Sequence, residues 1–134
     1  MVAPNGARRG KADHPALPIS PVEVAEVAVA SRDAGACAIH LHARDGKGQH
    51  TLSPVVYASY IQAVRRAAGP NFFLQVTTEA VGRYAPEQQM AAIRDLQVMP
   101  DGVSLALREL VPDEAHEAAA AAFFGWLLGR GIEP

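Results

Sequence analysis

Cysteine is nearly missing from this sequence. Cys37 stands alone, and a single thiol excludes an internal disulfide framework. It lies in an apolar stretch, so it is expected to be a buried, inert side chain. Long hydrophobic runs are missing too. The longest, Ala118 to Leu128, is far too short to span a bilayer. Met1 to Lys11 lacks the apolar segment of a secretory signal. Neither charge sign dominates: a formal net charge of −2 gives no electrostatic reason to bind nucleic acid or an anionic membrane. There is no low-complexity linker. What is present is an ordinary globular composition, 49% hydrophobic and 19% charged, and 134 residues suffice for one core. A cytoplasmic enzyme or binding domain is the expectation.

Helix and strand signals alternate. Ser20-Pro21-Val22-Glu23 is a capping box with proline in the first turn, predicting a helix to about Ala34 that offers Val22, Val24, Val27, Ala28 and Ala30 for burial. Gly35 closes it. A strand over 37–43 follows, then the turn Asp45-Gly46-Lys47-Gly48. Ser53-Pro54 starts a second helix by the same device, carrying Val55, Val56, Tyr60, Ile61 and Val64. Further strands are expected at 72–77 and 102–107, and further helices from Pro86 to about Leu96 and from Pro112 to about Leu128. Val2 to Gly6 reads as the tail of an earlier strand. Strands separated by single helices imply a parallel sheet with right-handed crossovers. The expected fold class is therefore α/β, the first four βα units of a (β/α)₈ TIM barrel, with residues 1–134 forming one partial domain. A closed barrel takes roughly 250 residues, and a fifth strand is expected to begin near Gly131.

Active sites of such barrels lie at the C-terminal strand ends. Asn5, Arg8 and Arg9 fall there, as do His40, His42, Arg44 and Asp45, then Gln75, Thr77, Thr78 and Glu79, then Arg108 and Glu109. The histidine pair is the sharpest feature. Positions i and i+2 of a strand share a face, so His40 and His42 point one way and Ile39 and Leu41 the other. Two imidazoles side by side suit a divalent metal; the alternative is a pair of hydrogen-bonded core histidines. A zinc site usually needs a third protein ligand. His14, His50 and His116 do not fall at strand ends and are weak candidates for it. Arg44 and Arg108 suit a carboxylate, or else an ion pair with Asp45 or Glu109. Thr77 and Thr78 suit a carbonyl or carboxylate, or simply reflect strand propensity. Glu79 reads more readily as a solvated loop charge than as a base.

These residues carry a family resemblance. The chain resembles the β-keto acid cleavage enzymes through Ala3-Pro4-Asn5-Gly6-Ala7-Arg8, His14-Pro15-Ala16-Leu17-Pro18-Ile19, Gly35-Ala36 through Ile39-His40-Leu41-His42-Ala43-Arg44-Asp45, Gln75-Val76-Thr77-Thr78 and Ser104-Leu105-Ala106-Leu107-Arg108-Glu109. The resemblance implies a zinc-dependent TIM barrel in which a β-keto acid reacts with acetyl-CoA to give acetoacetate and a new CoA ester. It implies His40 and His42 as zinc ligands, with Thr77 and Arg108 in catalysis and Asn5, Arg44, Thr78 and Glu109 at the substrate. It also implies a homo-oligomer for the full-length member. Two departures stand out. The first-described member has an acidic residue where Arg8 falls, and a Gly-Thr pair near Arg108-Glu109. The family's third metal ligand, a glutamate, and its catalytic aspartate and arginine lie in later strands. The chain is thus expected to resemble an N-terminal half, inactive alone and without the third zinc ligand.

Two rival expectations remain. His-x-His at a barrel strand end also marks metal-dependent amidohydrolases, though there it sits on the first strand. A non-catalytic half barrel could instead pair with a second copy through its open sheet edges.

Overall fold

A computed structural model describes all residues, Met1–Pro134. Helices and strands alternate as α1 (Pro21–Asp33), β1 (Ala38–His40), α2 (Pro54–Ala68), β2 (Phe73–Thr77), α3 (Pro86–Arg94), β3 (Gly102–Ser104), α4 (Leu107–Leu110) and α5 (Glu117–Gly129), the last preceded by a 3₁₀ turn over Glu114–His116. The sheet has three parallel strands in the order β1-β2-β3. Ile39 pairs with Leu74, and Val76 with Val103. Single parallel bridges extend the rows on both sides, Val2 to Ile39 and Glu133 to Gly102. The first and last predicted strands are thus reduced to one bridging residue each. No helix is long and apolar enough to cross a membrane.

Local sequence explains the element ends. Glu23 accepts from the backbone N–H groups of Ile19 and Ser20 while Ser20 Oγ accepts from Glu23 N–H, completing the capping box of α1. The Lys11 ammonium and these N–H donors hold the Glu23 carboxyl down at about 2. Ser53 does not repeat the device. Its side chain makes no cap bond, and its N–H donates instead to Thr51 Oγ1. Gly69, at φ 87°, ends α2 in a conformation that side chains resist.

One apolar core lies between the sheet and the helices. Ile39, Leu74, Val76 and Val103 are wholly buried against Val24, Ala28, Tyr57, Ile61, Val64 and Ile93. Several expectations need correction. The helix expected from Pro112 begins only at Glu117, after the 3₁₀ turn. Val22 and Val55 are exposed, because each sits in the first turn of its helix on the outward side. The strand expected over 102–107 stops at Ser104, and Leu107 to Leu110 coil into α4 so that Leu110 is buried while Leu107 faces out. Cys37 is exposed: it precedes the first paired residue of β1 and borders a rim pocket with Arg32, Ala36, Ala68, Asn71 and Phe72.

Candidate active site

The parallel strands deliver His40, Gln75 and Ser104 to one end of the sheet, His40 pairing with Gln75 and Thr77 with Ser104. Regular strand ends at His40, yet the alternation continues. Leu41 N–H still donates to Gln75 O at 3.0 Å. At His42 the Asn5 side chain replaces a strand neighbour: Nδ2 donates to His42 O at 2.8 Å, and Oδ1 accepts from His42 N–H at 3.1 Å. The two rings therefore share a face, with centroids 4.9 Å apart, and Ile39 and Leu41 are fully buried on the other side.

The histidine Nε2 atoms lie 3.0 Å apart. Two imidazoles at ordinary zinc distances in a tetrahedral site stand roughly 3.3 Å apart, nitrogen to nitrogen. The protons tell the same story. His40 Nδ1–H donates to Gln75 Oε1 at 2.8 Å, so His40 Nε2 keeps its lone pair. The contact between the two Nε2 atoms then needs the proton on His42. That leaves His42 Nδ1 bare, buried, without a hydrogen-bond partner and 3.6 Å from Glu79 Oε2. A divalent ion held by these two histidines would remove the conflict, because His42 would then carry its proton on Nδ1, facing the carboxylate. The donor set thus fits two coordination positions. No group of three or more His, Cys, Asp or Glu side chains is placed so that it could hold a metal ion. His14 is in an exposed loop, and His116 lies against Asp113 and Glu87.

Burial governs the electrostatics. It pushes the His42 imidazolium down to about 3, helped by positive charge on His40, His50 and Arg44. His50 is lowered too, chiefly by burial. His50 reaches the site through a short hairpin: Thr51 N–H donates to Ala43 O, Asp45 N–H to Gln49 O, and the Asp45 carboxylate accepts from Lys47 and Gln49 N–H across the turn. This places the His50 ring 5.2 Å from that of His42. Its Nε2–H donates to Glu79 O at 2.8 Å. The Asp45-Gly46-Lys47-Gly48 turn was the sequence signal, since a tight turn brings the residues flanking it together.

Several residues expected at the substrate make hydrogen bonds that hold the loops. The Arg44 guanidinium is buried and donates to the carbonyls of Gly6, Gly48 and Arg9. Asn5 is committed to the His42 backbone. The Glu109 carboxylate accepts from Ala80 N–H at 2.8 Å. The common reason is that loops leaving a sheet expose backbone groups that need partners once buried. Arg108 is exposed on α4, beyond the strand end that sequence assigned to it. Thr77 is buried; its Oγ1 accepts from Glu79 N–H, leaving its own O–H free to donate. Thr78 is fully buried and its hydroxyl has no partner. Such an unpaired buried hydroxyl calls for an explanation, and a ligand group is one.

This whole assembly lies within residues 1–133, which match the model of the beta-keto acid cleavage enzyme (BKACE) family. The chain belongs to the β-keto acid cleavage enzyme family. Among its relatives, the 3-oxoadipate:acetyl-CoA acetyltransferase of Cupriavidus necator is 33% identical over 105 residues, 78% of this chain and 35% of that protein. The 3,5-dioxohexanoate:acetyl-CoA acetone transferase of Paraburkholderia graminis is 36% identical over 64 residues, 47% of this chain and 21% of that protein. The chain therefore spans about a third or less of the length of these relatives.

Proposed function

We propose that this chain supplies the histidine end of a zinc-dependent β-keto acid cleavage enzyme, one that converts a β-keto acid and acetyl-CoA into acetoacetate and a new acyl-CoA. The observation that carries the reading is the convergence of His40 Nε2 and His42 Nε2 at 3.0 Å on the strand ends of a family member. Both relatives are named for reactions with acetyl-CoA. We further infer that the sheet is part of a (β/α)₈ barrel, with the Val2 and Glu133 bridges marking its next rows.

His40 and His42 would hold the ion, and Gln75 fixes the His40 tautomer that can bind it. Zinc, when bound, supplies Lewis acidity toward the keto oxygen. The free protons of Thr77 and Thr78 suit the substrate's carboxylate or carbonyl oxygens. Arg108, exposed and in no ion pair, is a cation available to an anionic substrate group. Positioning of this kind lowers the barrier by fixing the reacting groups before reaction. Since two protein nitrogens leave an ion under-coordinated, these 134 residues alone should produce no acetoacetate.

Zinc titration of the chain tests the reading, alongside an assay for acetoacetate from acetyl-CoA and a β-keto acid. Weak binding that disappears in His40→Ala and in His42→Ala supports it. A chain that binds no zinc would overturn the metal reading. Acetoacetate formed by the chain alone would overturn the inferred inactivity.

A further inference from the structure

We propose that Glu79 is the carboxylate that orients His42 toward the metal, and that His50 is the residue that holds Glu79 there. The proposal rests on the zinc reading above and extends it to two residues outside the ligand set. Glu79 Oε2 lies 3.6 Å from His42 Nδ1, on the ring atom opposite the metal-facing Nε2. That Nδ1 is buried and unpartnered. A metal-bound imidazole almost always passes its other N–H to a carboxylate, carbonyl or water, which fixes the ring and raises its basicity. For His40 that acceptor is Gln75 Oε1. For His42, Glu79 is the carboxylate beside the ring.

The Glu79 side chain is only partly exposed, at 33%. The Glu79 backbone is pinned from two directions. Glu79 N–H donates to Thr77 Oγ1 at 3.0 Å, and Glu79 O accepts from His50 Nε2–H at 2.8 Å. His50 is in turn fixed by its buried position and by Arg83, whose guanidinium donates to His50 O. The hairpin 43–51 and the loop after β2 are thereby locked together around the His42 ring. Without metal, Nδ1 of His42 presents a lone pair to the Glu79 carboxylate. With metal, it presents a proton. The carboxylate therefore favours the protonation pattern that metal binding requires, acting through His42 as a positioning residue.

The test is zinc affinity of the chain and of its variants, together with nitrogen-15 NMR of the His42 ring. In Glu79→Gln the side-chain shape is kept and the charge removed; zinc affinity should fall by about ten-fold or more. His50→Phe keeps a ring and loses the bond to Glu79 O, and should weaken zinc by a similar factor. His50→Gln restores an N–H donor and should recover part of the loss. The double variant Glu79→Gln/His50→Phe should bind no more weakly than Glu79→Gln alone, because His50 acts through Glu79. A general loss of structure would give additive losses instead. In the zinc-bound parent, the NMR spectrum should place the His42 proton on Nδ1. A parent that binds zinc with no change in Glu79→Gln would overturn this proposal and leave the metal reading standing. A parent that binds no zinc overturns both.

Discussion

The Asn5 carboxamide pairs with both backbone groups of His42, donating to its carbonyl and accepting from its N–H. A side chain thus completes the sheet ladder where the neighbouring strand has run out. Asn5→Ala would leave a buried N–H and a buried carbonyl unpaired. The expected cost is about 1–3 kcal/mol of stability per unsatisfied group, at the lower end if water reaches them. Asn5→Asp should recover only the half that accepts. Urea denaturation measures the loss, and zinc titration should show weaker binding in both variants.

The Arg44 guanidinium bridges four carbonyls from two loops, those of Asn5, Gly6 and Arg9 on one side and Gly48 on the other. Burial lowers its pKa, yet the backbone oxygens keep it paired. Lysine is a point donor and cannot span this fan of acceptors. Arg44→Lys should cost roughly 2 kcal/mol, the order expected for lost bonds to a charged group. Limited proteolysis should then cut first within residues 5–10 or 46–50. A variant as stable and as resistant as the parent would refute the bridging role.

His42 makes folding sensitive to acid. The unfolded ring takes up a proton near 6.5, whereas the buried ring resists until about 3. Between those values the unfolded chain binds more protons, so stability is intact above 6.5 and falls as pH drops toward 3. His50, lowered mainly by burial, adds in the same direction. The loss should reach a few kcal/mol, at about 1.4 kcal/mol per unit of pKa difference. Urea midpoints between pH 7.5 and 4 report it, and His42→Gln should flatten the slope.

Much of this architecture was legible from local patterns. Pro21, Pro54 and Pro86 marked helix starts, and each is the first helical residue. The period-two reading of Ile39-His40-Leu41-His42 held beyond the strand itself, because Leu41 and His42 keep their backbone partners. Membership of the β-keto acid cleavage enzymes was legible in motifs spread along the chain. What sequence could not show was which polar residues the loops consume. Asn5, Arg44 and Glu109 look alike as strand-end polar residues, and only the path of the loops reveals that backbone groups occupy them. Cys37 and Val22 failed for a related reason. Hydrophobicity announces burial, but one residue's rotation at an element end decides it. His50 does not fall at a predicted strand end, yet the turn before it folds it back onto His42.

Gly102 is where the sheet tolerates no side chain. A Cβ there would lie 3.0 Å from Phe73 Cζ and 3.1 Å from Glu133 O. The ring can swing away, but the carbonyl cannot, because it accepts from Val103 N–H at 2.8 Å and belongs to the Glu133 bridge. Gly102→Ala should therefore cost about 1–3 kcal/mol, as overpacking does in a close-packed interior. The damage should be local: faster amide exchange at Val103 and Glu133, with β1 and β2 little changed. Adding Phe73→Leu removes the ring clash and leaves the carbonyl clash, so it should not restore slow exchange at Val103. If the double variant did regain parental exchange at that amide, the ring rather than the Glu133 row would be what excludes a side chain.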